Sequence, residues 1–465
     1  MEPSRERAPR RIAAALVGPA VIVLVPLFVV AWSFWPGHMS SDTVSQIESI
    51  ESGDFTNQHA ALLASLWYPL YHLGFGPGFV LIFQGLVFAT GTWLLLRTAL
   101  SRMATAAATA LICFSPPVFG MLGYISRDVW YTAATLLTFG LAARAVQRPD
   151  HRALRIALVL IAAWSALAAR QNAPPVIGLA LLVVAALLLE GRVWGSRRRH
   201  VLAVVGVGLG LGLGLVATQT VARAVIGVSD VHPEQYTMIY DLAGISHRER
   251  VNLFPPEVME RRGMEVIDQH WNVDHVRFFI FVDNSPVIAP LAPEKFKRLR
   301  EAWLDAIVDH PISYLKTRIE MQRRQLGIGR PAIFVYHPRI DENPFGFTIH
   351  HPGWNEAARD YIEGFADDYL NGRAPFYVLW LYLLLAVVAG AWLLVKARAK
   401  PALAAVGAFG LSALTWQLGL FLGAMVLQYR FEFPMVVTSI VTCVVAAFVW
   451  RSERRDRHAA PAPAA

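Results

Sequence analysis

Apolar residues run through this chain in blocks of about twenty, broken by short basic pieces, and the blocks set its organisation. A helix satisfies its own backbone hydrogen bonds, and about 20 residues at 1.5 Å each cross a hydrocarbon core of about 30 Å. Ten runs meet that pattern: 12–35, 75–96, 103–123, 128–143, 156–169, 174–190, 201–222, 375–395, 401–424 and 431–450. The fourth and fifth are short for a straight crossing. The pattern predicts an all-α polytopic membrane protein of about ten transmembrane helices with a large mixed or mainly helical extracytoplasmic loop domain.

Two polar pieces are too long to be turns. Residues 36–74 form a first outer loop inside an N-terminal transmembrane core, 1–222. Residues 223–374 form an extracytoplasmic domain of a length that can fold alone, followed by three C-terminal spans, 375–450, and a tail, 451–465. Between Pro293 and Gly327 the apolar positions fall at helical spacing on either side of His310-Pro311, which predicts two amphipathic helices. Their cations, Lys295, Lys297, Arg298, Arg300, Lys316, Arg318, Arg323 and Arg324, suit either lipid phosphates or a solvated face.

Charge sets the orientation. If Met1 starts inside, the inner pieces 1–11, 97–102, 144–155, 191–200, 396–400 and 451–465 hold 21 of the 42 Lys and Arg. That bias places both termini in the cytoplasm. The first span runs into WSFWPGH without a small-residue cleavage site and reads as an uncleaved anchor. The chain is 55% hydrophobic and 16% charged with mean hydropathy +0.42, which excludes a single water-soluble fold. The formal charge of +8 is largely this topology signal and gives no support to nucleic-acid binding. Cys113 and Cys443 lie in apolar runs and build neither a disulfide framework nor a metal site. The glycines of VGVGLGLGLGL put Gly206, Gly210 and Gly214 on one helical face, a signature of close helix packing rather than nucleotide binding.

Ionisable groups at the membrane edge are costly and mark candidate sites. With this topology four clusters collect on the outer side: Asp42 with Gln46 and His59 in the first loop, Arg127-Asp128, Arg170-Gln171-Asn172, and Gln428-Tyr429-Arg430 with Glu432. Each has a plain alternative. Arg127 and Arg170 suit snorkelling helix ends, Asp128 a helix cap, Asp42 the N-cap of a helix over 43–52, and Glu432 a partner for Arg430. Together they suit group transfer, in which a carboxylate takes a proton from an acceptor hydroxyl and arginines take up the charge of a phosphate leaving group.

Three stretches carry a family resemblance. PGHMSSDTVSQIESIESGDFTNQHAALLASLWYPL (36–70), ISRDVWYTAATLL (125–137) and LQYRFEFPM (427–435) are similar to the first outer loop, a basic-plus-Asp pair and the last-span motif of GT-C superfamily glycosyltransferases. In plan the chain resembles the protein O-mannosyltransferases and aminoarabinose transferases. The resemblance implies an inverting transfer of sugar from a polyprenyl-phosphate carrier to a glycan, lipid or protein acceptor at the outer face of a bacterial cytoplasmic membrane. It makes Asp42 the catalytic base and Arg127, Arg170 and Arg430 the contacts to the donor phosphate. Asp128, Gln46, His59, Gln171, Asn172, Gln428 and Tyr429 support or line the pocket. Where several members carry an Asp-Glu pair this chain has Asp42-Thr43, so a divalent cation is left open, with no residue arguing for one. A lipid-linked glycan ligase or polymerase, or a transporter or flippase of a lipid-linked substrate, are the alternatives.

Overall fold

The computed structural model describes residues 7–191, 196–259, 263–282, 284–329, 336–370 and 376–459. Residues 1–6, 192–195, 260–262, 283, 330–335, 371–375 and 460–465 lie outside the described residues. In chain order the helices are α1 Arg7–Phe34, α2 Ser41–Ser52, α3 Ala61–His72, α4 Pro77–Leu96, α5 Arg102–Phe114, α6 Pro116–Leu122, α7 Arg127–Gln147, α8 Arg152–Ala169, α9 Pro174–Leu188 and α10 Arg197–Val225. They continue as α11 Gln235–Glu249, α12 Met264–His270, α13 Arg277–Ile280, α14 Pro293–Asp309, α15 Pro311–Gln325, α16 Pro352–Leu370, α17 Leu379–Lys396, α18 Leu403–Gly423 and α19 Phe433–Ala459. Among the described residues the only β pairing is in isolated bridges. The protein is an all-α polytopic membrane protein.

All ten apolar runs are helical, and eight of the helices are long and apolar enough to cross a bilayer. The third run is not one straight span. It breaks into α5 and α6, bent by 75°, because Ser115 precedes Pro116-Pro117 and takes an extended conformation (φ −62°, ψ 137°), as a residue before proline is driven to do. The broken pair still passes from one end of the bundle to the other. It starts after the far end of α4 and finishes where the His38 amide donates to the Gly123 carbonyl and the Ile125 amide to that of His38, 2.9 and 3.0 Å. Gln84, fully buried in α4, donates to the Leu122 and Tyr124 carbonyls and meets the loose end of α6. The fourth and fifth runs are shorter than their helices, since α7 and α8 extend through Arg144 and Arg155, whose side chains bond back to Gln147 and to Arg148 and Asp150.

Close packing of the bundle depends on glycine at the crossing of α4 and α7. A Cβ on Gly91 would lie 2.4 Å from the Leu137 backbone nitrogen, and one on Gly140 would lie 3.0 Å from the Gly91 carbonyl oxygen. Gly91→Val therefore separates α4 from α7, the helix that opens with Arg127, at a cost of about 1–3 kcal/mol, and a fall in the thermal midpoint of the purified protein measures it. The glycine stripe of α10 behaves otherwise than its spacing suggests. Gly206, Gly210 and Gly214 face open space, and Gly208 and Gly212 are the positions that meet α9, at Leu182 and Leu181.

The stretch from Pro293 to Gly327 forms the two expected helices, α14 and α15. Their cations do not form one face: Arg318 is fully buried against Asp241, and Arg324 pairs with Asp274 and Glu320.

Candidate active site

The site begins at the first turn of α2. Ser40 caps this helix in an extended conformation, and its hydroxyl goes to the Tyr124 phenol, 2.6 Å away. The Thr43 hydroxyl donates to the Ile125 carbonyl (2.7 Å), and Thr43, Val44, Ile47 and Ile50 turn the apolar face inward. Asp42 lies on the other side and does not cap the helix. Its Oδ2 receives Nη1 of Arg430 at 2.8 Å, with 39% of the Asp42 side chain still open.

Arg430 stands in a short 3-10 turn, Tyr429–Phe431, before α19. Besides Asp42 it reaches the Tyr124 hydroxyl at 3.2 Å, and its Nε stands 4.0 Å from Asp128. Asp128 is fully buried in the first turn of α7, where Ser126 is the cap, and its carboxylate pairs with Arg170 at the end of α8. The guanidiniums of Arg170 and Arg430 both lie over the ring of Phe431, at 4.8 and 5.1 Å. Arg127 has no carboxylate partner among the described residues. It donates to the Gln58 carbonyl (3.1 Å), and its buried Nε has no acceptor.

Arg127 and Arg430 thus face Asp42, a net charge of +1, in a small cleft also lined by Gln46, His59 and Tyr124, and the pair of Asp128 and Arg170 adjoins it through Arg430. Burial alone would push the Asp42 carboxyl up. Arg430 and Arg127 outweigh it and hold the group well below the usual carboxylate range. Burial and the same two arginines push the His59 imidazole down, against the pull of Asp42, so the ring is neutral at pH 7. Among the described residues no group of three His, Cys, Asp or Glu could hold a metal ion.

Segments between α10 and α17 fix this geometry. The Met39 amide donates to the Arg339 carbonyl, the Asp341 amide returns to the Met39 carbonyl (3.1 and 2.8 Å), and the Asp341 carboxylate accepts from the Ser41 amide (2.9 Å). Asp341 thereby satisfies an orphan donor at the start of α2 from a distant part of the chain. Burial pushes the His38 imidazole down to about 4; neutral, it donates from Nδ1 to the His337 carbonyl (2.6 Å). On the other side the Leu427 amide donates to the Asp274 carbonyl (2.7 Å) and Gln325 to that of Gln428 (3.0 Å), holding the strand of chain that ends in Arg430. Asp341→Ala is expected to loosen α2 by about 1 kcal/mol, read as faster amide hydrogen exchange over 41–46 with the bundle unchanged.

Of the residues singled out in the sequence, Asp42, Gln46, His59, Arg127, Asp128, Arg170 and Arg430 come together. Gln171 is exposed, and Asn172 packs on Gly419 of α18. Gln428 offers its carbonyl to Gln325, and Tyr429 is fully buried with its hydroxyl donating to the Pro117 carbonyl (2.9 Å). Glu432 does not pair with Arg430. It is buried against Gln417, which is linked in turn to Gln322 of α15. Tyr124 lines the cleft, with Ser40 bonded to its hydroxyl and the Gln58 carbonyl to Arg127, and the three carry no sequence signal beyond proximity to Arg127 and Asp42.

Compared with known proteins, the chain matches no family model and no curated protein sequence. Two solved structures match 96% of it. One is the archaeal oligosaccharyltransferase AglB from Archaeoglobus fulgidus in complex with an inhibitory peptide and a dolichol-phosphate, at 13% identity and TM-score 0.38 over 52% of that chain. The other is an apo form of the Archaeoglobus fulgidus oligosaccharyltransferase, at 13% identity and TM-score 0.40 over 53%. The chain spans about half the length of these proteins.

Proposed function

We propose that this protein is an integral-membrane inverting glycosyltransferase of the GT-C kind, moving a sugar from a polyprenyl-phosphate carrier to an acceptor hydroxyl at the outer face of a bacterial cytoplasmic membrane. The observation that carries this reading is the convergence of one reachable carboxylate, Asp42, with three guanidiniums at the ends of membrane helices. Asp42 takes the proton of the acceptor hydroxyl, whose oxygen attacks the anomeric carbon from the face opposite the leaving group. The bond from that carbon to the phosphate oxygen breaks, and the polyprenyl phosphate departs with the electron pair. Arg127, Arg430 and Arg170 take up its charge. The net +1 of the cleft matches the single negative charge of a sugar phosphodiester and favours it over a diphosphate-linked donor.

Arg430 has two tasks that compete. In the free protein it neutralises Asp42 and keeps that carboxylate a weak base. A bound phosphate draws on the same guanidinium and on Arg127, which lets the Asp42 carboxyl rise toward its ordinary range, so the base gains strength when the donor is present.

The test is release of sugar from a radiolabelled panel of polyprenyl-phosphate sugars by the purified protein, with membrane extract as acceptor and diphosphate-linked oligosaccharides as the competing donors. Turnover confined to monophosphate donors is expected. Arg430→Gln should raise the donor KM by at least about tenfold, given that a charge-assisted hydrogen bond contributes about 1.5–3 kcal/mol. Outward movement of an intact lipid-linked sugar across vesicles, without sugar release, would replace the transferase with a flippase.

A further inference from the structure

The end of the bundle opposite the cleft holds a second charge cluster. Helix α7 starts in the cleft at Arg127, and Arg144 lies 17 residues further on, about 26 Å away along the helix. Arg97 follows α4, Arg102 opens α5, Arg144 and Arg148 end α7, and Arg152 and Arg155 open α8. Two of the six are neutralised, Arg152 by Glu190 (2.5 Å) and Arg155 by Asp150 (2.9 Å).

The other four have no carboxylate partner among the described residues. Arg97 turns back to the Leu100 carbonyl and Arg144 to the Gln147 amide oxygen. Helix α7 packs against both α4 and α8, and Arg155 Nη1 donates to the Arg148 carbonyl at 2.7 Å, which gathers these helix ends. Burial, then the charges of Arg102 and Arg148, push the Arg97 guanidinium below its ordinary value, and Arg144 meets the charges of Arg97, Arg148 and Arg155. Compensation of helix ends does not account for this. The C-termini of α4 and α7 supply about −0.5 each, and the N-termini of α5 and α8 return about +0.5 each, so four positive charges remain.

The surroundings say what covers them. The cluster sits at the ends of helices long and apolar enough to cross a bilayer, and Met103 and Leu154 beside it are 54% and 60% exposed, with Leu111 and Ile161 further along the same helices at 72% and 65%. A soluble anion has no use for such a surface, whereas acyl chains do.

We infer that Arg97, Arg102, Arg144 and Arg148 bind the headgroup phosphate of an anionic phospholipid in the leaflet opposite the cleft. A headgroup with two phosphates matches the charge best, its acyl chains lying along α5 and α8. Basic recesses between helix ends hold such lipids by charge with local apolar contact.

The experiment reconstitutes the full chain into nanodiscs of phosphatidylcholine with a small fraction of cardiolipin or phosphatidylglycerol and counts lipids retained in native mass spectra. Cardiolipin should be retained over phosphatidylglycerol, and both over phosphatidylcholine. Arg97→Gln with Arg148→Gln should weaken cardiolipin retention at least about tenfold, while Arg451→Gln with Arg455→Gln, in the tail, leaves it unchanged. Arg148→Gln alone, on an exposed side chain, covers the case in which the pair does not fold, and a severalfold loss is expected from it. Unchanged retention in these variants overturns the site. Displacement of the lipid by millimolar inorganic phosphate would make it a site for soluble anions and overturn the lipid assignment.

Discussion

Asp42→Asn is expected to lower sugar transfer by about 10²–10⁴-fold, the contribution of a positioned general base, and at the same time to tighten the hold on the donor. The second half follows from the ion pair. Arg430 spends one of its nitrogens on Asp42 Oδ2 at 2.8 Å, and the carboxylate competes with any phosphate for that guanidinium. Removing its charge while keeping its shape frees Arg430, so a non-transferable donor analogue should bind severalfold more tightly to the variant. A purely structural Asp42 predicts the reverse, with weaker donor binding as α2 loosens. Single-turnover rates and analogue binding on one preparation separate the two, and a loss in transfer of less than about tenfold in a folded variant would end the base assignment.

The same pair gives a pH dependence of known sign. The folded Asp42 carboxyl is held below its ordinary value, so its contribution to stability is fully present above about pH 4 and is lost as pH falls through the folded value. The thermal midpoint of the parent protein should therefore fall on acidification below about pH 4 by more than that of Asp42→Asn, while the gap between the two stays constant from pH 6 to 8.

Much of this was legible in the sequence, for a physical reason. The bilayer imposes a length and polarity rule that soluble proteins lack, so the ten apolar runs announce themselves, and a charge at a run's end stands out because it is expensive there. Asp42, Arg127, Asp128, Arg170 and Arg430 were visible on that ground. What such a rule omits is direction. Gln428, Tyr429 and Arg430 are consecutive, yet a 3-10 turn spaces side chains about 120° apart. Only Arg430 reaches Asp42, while Tyr429 is pinned to Pro117 behind it. Pairing across long separations is equally silent. Nothing local says that Asp341 caps α2, 300 positions away, or that Arg318 is a buried cation while Lys316 is a surface one. The break at Ser115 was written in its two prolines, but hydropathy averages over it.

Arg318→Leu is the substitution expected to cost most in stability. Arg318 on α15 and Asp241 on α11 are both fully buried, with Nη2 2.6 Å from Oδ2. Trp303 of α14 donates to the same oxygen at 2.9 Å, and the other nitrogen of Arg318 donates to the Ala424 carbonyl at 2.6 Å. Helices α11, α14 and α15 and the end of α18 thus meet on one ion pair. Taking away the cation leaves a carboxylate without compensation in a dry site, which costs about 3–5 kcal/mol. Taking away both charges leaves none, so Arg318→Leu with Asp241→Leu should recover most of the thermal midpoint lost by the single variant. Function need not recover with it. Ala424 is six residues before Arg430, and its carbonyl loses the Arg318 donor in both variants. The double variant should keep a near-parental midpoint and still show a raised donor KM, because the segment that aims Arg430 at Asp42 is held less firmly. Equal midpoints for the single and double variants would mean that the pair is packing alone, and a parental donor KM in the stable double variant would detach α11, α14 and α15 from the aim of Arg430.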